Sequence, residues 1–238
     1  FVGYSNPNCI ATPILGILLG FNEPEQPTAE QFEWLNLFLA EAESALVSYD
    51  FERIAEYFDI DSFVDFYIVN ELFKDVDFST SSTRFYLKKG RLYAGPLWDM
   101  DLSSGNVSEE AGYYGEYWNS NTSGDSTESF YCRKIWYREL FGCQKFGELV
   151  RKRYAKLQPQ IVNLTTDNEL GLNRIDRLIA KYGKSFAANY EKAGWSVSYV
   201  YGEFESRYPA KTYEGNVEYL REWLIRRNAW LLHELGIS

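Results

Sequence analysis

The sequence predicts an α+β fold, mainly helical, with one small β-hairpin between two helical stretches. Three observations carry this expectation. Apolar residues recur at helical spacing within residues 28–73 and again within 131–235. Between those stretches, residues 83–87 and 91–95 are aromatic-rich runs flanking Lys88-Lys89-Gly90, the pattern of a hairpin. Residues 103–129 then turn to Ser, Asn, Gly, Glu and Tyr with no helical period, which marks a long loop of the kind that carries function or mobility.

Each element has its own local signal. The apolar run from Ile14 to Phe21, followed by Glu-Pro-Glu-Gln-Pro, reads as a strand ending in a turn. Thr28-Ala29-Glu30-Gln31 is a capping box, in which the Thr hydroxyl and the Gln amide each satisfy an orphan N–H. Phe32, Leu35, Leu39, Ala42 and Leu46 follow at helical spacing and predict a core-facing stripe. Residues 50–58 form a short helix, and Asp61-Ser62 starts another that runs to about Phe73. On that second helix Phe63, Tyr67, Asn70 and Glu71 share one face, with Val64, Ile68 and Leu72 beside it. Polar groups in an apolar stripe need partners if buried, so Glu71 is expected to be buried and paired, against the bland alternative of a solvated helix end. Helices are expected over about 131–141, 144–158, 167–190 with a Thr166-x-x-Glu169 cap, and 213–235, with residues 199–209 as a connector.

Composition narrows the function. A chain of 238 residues with 45% hydrophobic content can bury one substantial core, so a single domain spanning 1–238 is expected. The formal charge of −10 lacks the clustered Lys and Arg that phosphate neutralisation requires, which argues against nucleic-acid partners. The 18% aromatic fraction is a weak pointer to a surface-facing protein. Cys9, Cys132 and Cys143 have no CxxC spacing and hence no zinc or redox signature, although a Cys132–Cys143 bridge is conceivable. His233 is the only histidine, so a His-rich metal site or a Ser-His-Asp triad is excluded, and a surface or packing role is expected. No run approaches the roughly 18 apolar residues of a membrane span, and Phe1-Val2-Gly3 opens without a basic leader, as a processed or truncated chain would.

Residues 70–106 hold the chemistry. Asn70-Glu71 and Asp75-x-Asp77 precede the hairpin, and Trp98-Asp99-Met100-Asp101 with Gly105-Asn106 follows it. A tight two-strand excursion can return the chain to the same end, bringing the two acidic groups together. Metal-assisted phosphoryl transfer needs such an arrangement: carboxylates to hold Mg²⁺, and another carboxylate to position the attacking hydroxyl. A protein kinase presents a catalytic-loop Asp, a short hairpin and a metal-binding Asp in that order, and Asp77, the hairpin, and Asp99 or Asp101 reproduce it. By spacing alone, a structural Ca²⁺ site or a set of turn and cap residues fits equally well.

A longer pattern changes the weighting. Ile68-Val69-Asn70-Glu71-Leu72, then Asp77 with Ser81-Ser82-Thr83-x-Phe85-Tyr86, then Gly95-Pro96-Leu97-Trp98-Asp99-Met100-Asp101 with Gly105-Asn106, resembles the central signature of the spore-coat-protein-H (CotH) kinase family. The flanks are similar too: a Gln-containing helix ending in Ala45-Leu46, Asp61-Ser62-Phe63, and Arg-Arg-x-x-Trp from Arg226 to Trp230.

That resemblance implies an atypical protein-kinase-like C-lobe with the hairpin at its active site. It implies ATP and Mg²⁺ (or Mn²⁺ or Ca²⁺) as cofactors, and Ser or Thr of a surface or secreted bacterial protein as acceptor. Carried over by position, Asp77 orients the acceptor hydroxyl, and Asp99 and Asp101 bind metal. Asn70, Glu71, Ser82 and Asn106 serve the nucleotide site, with Asn70 and Glu71 as braces. Two departures stand out. Where many members place Asn before the first hairpin strand, this chain has Ser82, Thr83 and Arg84, and no Gly-rich loop or strand-borne Lys is identifiable. In the family those phosphate-contacting elements lie upstream, so the chain is expected to be a C-terminal catalytic portion. The rival expectations are a catalytically silent surface or adhesion module, supported by the aromatic-rich 113–118 segment, and a Ca²⁺-stabilised scaffold using Asp99 and Asp101.

Overall fold

In the computed structural model, residues 8–75, 77–78, 82–106, 127–191 and 212–237 are described. Helices dominate, accompanied by two small antiparallel sheets, which is the α+β class expected. The element order is β1 (Cys9–Ala11), β2 (Leu18–Gly20), α1 (Ala29–Ser48), α2 (Phe51–Tyr57), α3 (Ile60–Phe73), β3 (Phe85–Lys88), β4 (Arg91–Ala94), α4 (Tyr137–Gly142), α5 (Gln144–Val162), α6 (Arg174–Glu191) and α7 (Tyr213–Glu234). The chain divides into two compact units built from interleaved segments: Phe1–Tyr67, Phe78–Trp98 and Cys132–Val150 form one, and Ile68–Asp77, Asp99–Tyr131 and Arg151–Ser238 form the other.

The first unit packs on aromatics. Phe58 meets Phe63 and Trp136 edge-on at 5.2 and 5.6 Å, and Trp136 meets Phe85 at 4.9 Å. The Thr28 capping box forms as expected, with Gln31 N–H donating to Thr28 Oγ1 at 3.2 Å and Thr28 N–H to Gln31 Oε1 at 2.9 Å. Leu39, Ala42 and Leu46 of the expected stripe are buried, but Phe32 is exposed, so α1 joins the core only through its second half. The run from Ile14 contributes a strand only over β2, because Ile14 and Leu15 donate their amides to Glu43 Oε2, both at 2.9 Å, instead of to a neighbouring strand. Glu43 Oε1 also accepts from Trp136 Nε1 at 2.9 Å, so this fully buried carboxylate is held by three donors. The hairpin pairs Phe85 with Ala94 and Lys88 with Arg91. Its turn, Lys89-Gly90, has φ of 52° and 77°, the left-handed pair that matches strand twist.

The expected helix from 131 begins only at Tyr137, and residues 131–134 are not helical. Cys132 and Cys143 are buried and form no disulfide with each other.

Helices α5 and α7 follow the expected spans, α5 continuing to Val162 and α7 starting from a Thr212 cap. The expected start of α6 moves. Asn168 Oδ1 accepts from Leu170 and Leu172 N–H, an Asx turn that diverts residues 167–173 from helix. Asn173, rather than Thr166, then caps α6 through Asp176 N–H at 2.8 Å. His233 is exposed beside Glu234. No helix among the described residues is long and apolar enough to cross a membrane. Residues 199–209 and 113–118 lie outside the described residues.

Candidate active site

The second unit is organised around the C-terminal end of α3. The last carbonyls of a helix have no partner within it and must find one elsewhere. Here they find three. Asn70 O accepts from Asp75 N–H at 3.2 Å, and Phe73 O from Ser104 N–H at 2.6 Å. Glu71 O accepts from Arg227 Nε and Nη2 at 3.1 and 2.9 Å. Lys74, with φ of 50°, takes the left-handed position that ends the helix. Terminating α3 therefore brings the Asp75–Asp77 turn and the loop from Asp99 to Asn106 to the same place.

The acidic turn is short. Asp75 is buried, and its Oδ1 accepts the backbone N–H of Asp77 at 3.2 Å. Asp77 itself is half-buried. The second acidic stretch is closed by its own polar side chains: Ser103 Oγ donates to Met100 O at 2.7 Å, and Asn106 Nδ2 to Asp101 O at 2.9 Å. Asp99 and Asp101 are exposed, and Asp99 has φ of 57°, a region that Asp tolerates better than most residues. Gly105, at φ of 81°, seats this loop against α7. A Cβ there would lie 2.5 Å from Tyr219 Oη and 2.8 Å from Trp223 Nε1.

The two stretches act electrostatically on one group, Asp75. Burial pushes the Asp75 carboxyl up to about 7; the Asp77 N–H opposes this, and the charges of Asp77, Asp101 and Asp99 reinforce it. Four aspartates thus share one field, at the end of a helix whose own dipole is negative. Such a place disfavours additional anions and attracts cations.

The remaining sequence-predicted residues separate. Asn70 is buried on α3. Glu71 is buried, as expected, and its partner is Arg227: Nη2 donates to Glu71 Oε1 at 2.6 Å, with both side chains almost wholly inaccessible. Tyr131 N–H donates to the same Oε1 at 2.7 Å. Arg227 Nη1 reaches Thr127 O and Ser129 O, both at 2.7 Å, so each of the five guanidinium N–H groups has an acceptor. Asn106 adjoins Asp101. Ser82 belongs to the first unit, buried, its Oγ without a hydrogen-bond partner among the described residues.

Asp75 and Arg227 carry weight that the sequence reading did not assign. Asp75 was legible as part of Asp75-x-Asp77, but nothing in its spacing shows burial. Arg227 interrupts the Trp223, Leu224, Leu231 stripe of α7, and a cation in an apolar stripe is the signal for a buried carboxylate elsewhere.

The donor set fits Mg²⁺. The clustered groups are hard carboxylate oxygens, without nitrogen or sulfur, and Mg²⁺ is commonly held by one or two carboxylates together with water and substrate phosphates. Among the described residues no three His, Cys, Asp or Glu side chains are grouped to hold a metal ion. No curated protein and no solved structure matches the chain. The family model described as CotH kinase protein matches residues 20–231, most of the chain, and this protein belongs to the CotH kinase family.

Proposed function

We propose that the protein is an atypical protein kinase that transfers the γ-phosphoryl group of ATP to a Ser or Thr hydroxyl of a surface or secreted protein, on a kinase-like fold. The observation that carries this reading is the convergence of Asp75, Asp77, Asp99 and Asp101 at the α3 terminus, within a chain of the CotH kinase family.

Asp99 and Asp101 are the residues that would hold Mg²⁺, being exposed carboxylates two positions apart on a loop closed by Asn106 and Ser103. When bound, Mg²⁺ neutralises phosphate oxygens that this acidic site would otherwise repel. Asp77 accepts a hydrogen bond from the acceptor hydroxyl and aims its oxygen at phosphorus. Asp75 holds the Asp77 backbone in place through its Oδ1. Asn70 and Glu71 brace the end of α3.

Incubating the chain with radiolabelled ATP, Mg²⁺ or Mn²⁺ and Ser-rich protein substrates tests the proposal. Label on Ser or Thr that disappears in Asp99→Asn supports it. Absence of transfer with every divalent metal, together with absence of nucleotide binding, overturns it and favours a silent module of the same fold.

A further inference from the structure

Stability alone does not account for a guanidinium in the middle of α7. Replacing a buried ion pair by apolar residues of similar volume is often neutral or stabilising. The Arg227 position is flanked by Trp223, Leu224 and Leu231, all buried. What the guanidinium supplies is geometry. Its acceptors lie on two separate stretches: the carbonyl and carboxylate of Glu71 in the last turn of α3, and the carbonyls of Thr127 and Ser129. Trp230 closes it from one side, its ring 5.0 Å from the Arg227 Cζ and in edge contact with Phe130 at 5.0 Å. The turn so clamped carries both acidic stretches, since Asn70 O receives Asp75 and Phe73 O receives Ser104.

We infer that Arg227 is a positioning residue for the acidic site, fixing the final turn of α3 and with it the mutual placement of the Asp75–Asp77 turn and the Asp99–Asp101 loop. The inference rests on the phosphoryl-transfer reading for its functional meaning. Two bonds to one carbonyl and one to the carboxylate of the same residue leave that peptide little freedom to rotate. A Lys at this position keeps the charge but has a single nitrogen and cannot span acceptors on two stretches.

Three variants of the full chain separate positioning from packing: Arg227→Lys, Arg227→Met, and Glu71→Leu combined with Arg227→Met. The paired variant leaves no buried charge unpaired but strands the Glu71, Thr127 and Ser129 carbonyls and the Tyr131 N–H, so it is expected to melt below the wild type, though by less than Arg227→Met. Two readouts follow, taken at a temperature where every variant is folded. Amide hydrogen exchange at Asp75 and Ser104 should accelerate about tenfold or more in the paired variant and in Arg227→Lys, as their helix-end acceptors loosen. The kcat should fall roughly tenfold or more while the KM for ATP changes by less than about threefold, the signature of lost alignment rather than lost binding. Wild-type exchange at both amides in a folded paired variant overturns the inference, as does a wild-type kcat. If the wild-type chain itself transfers no phosphate, the kinase reading fails, and the exchange rates alone decide whether Arg227 sets the acidic turn.

Discussion

Asp75 accepts the backbone N–H of Asp77 at 3.2 Å from a position only 1% exposed. Desolvation and three neighbouring carboxylates raise its pKa from 3.8 to about 7, and that shift has a consequence for stability. Between about pH 4 and pH 7 the folded protein holds a proton at Asp75 that the unfolded chain has released, so stability falls as pH rises through this window. The loss is complete above the folded pKa and amounts to a few kcal/mol at most, by the usual conversion of about 1.4 kcal/mol per unit. Asp75→Asn keeps the acceptor and removes the titration. Its melting temperature should therefore vary less than the wild type's between about pH 5 and pH 8. Parallel curves for the two proteins would contradict this.

Removing the carboxylate of Glu71 strands a fully buried guanidinium. Glu71→Ala should cost about 3–5 kcal/mol, well beyond a surface substitution. Urea titration measures it, and a cost under about 1 kcal/mol would show that the pair is not the anchor its 2.6 Å contact indicates.

Gly105 and Gly90 provide an internal contrast. Both have left-handed φ, 81° and 77°, but a Cβ on Gly90 meets nothing within 4 Å, whereas one on Gly105 strikes Tyr219 and Trp223. Gly90→Ala should cost only the backbone penalty of about 1–2 kcal/mol. Gly105→Ala adds overpacking and should cost about 2–5 kcal/mol. Equal thermal shifts in the two variants would show that the loop yields at Gly105.

Asp77→Asn and Asp99→Asn should differ in kind. A residue that orients the hydroxyl acts mainly in the transition state, so Asp77→Asn should lower kcat by roughly two orders of magnitude with little change in nucleotide affinity. A metal ligand also holds the ground-state nucleotide, so Asp99→Asn should weaken both. Steady-state kinetics with calorimetric Mg²⁺ and nucleotide titrations distinguish them, and full activity in Asp77→Asn would remove that residue from catalysis.

Much of the fold was legible because its signals are local. The Thr28 capping box, the Lys89-Gly90 turn and the apolar face of α3 each depend on residues within a few positions of one another. Expectations failed where a distant group competed for a local amide. Ile14 and Leu15 gave their N–H groups to Glu43 instead of to a neighbouring strand. At α6 the competitor was nearby: an Asx turn at Asn168 displaced the start to Asn173.

By itself the sequence determined the helical and hairpin elements, the α+β class, the need for Glu71 to be paired if buried, and the motif order that places the chain among the CotH kinases. Periodicity, caps and turns follow from bonds spanning a few residues. Only the tertiary structure decided that the partner of Glu71 is Arg227, 156 positions away, that Asp75 is the buried member of the acidic group, and that the two acidic stretches meet at the end of α3. Unpaired carbonyls at a helix end and a buried charge each demand a partner. Which partner they take depends on packing across the unit, and that is not written in any local stretch of sequence.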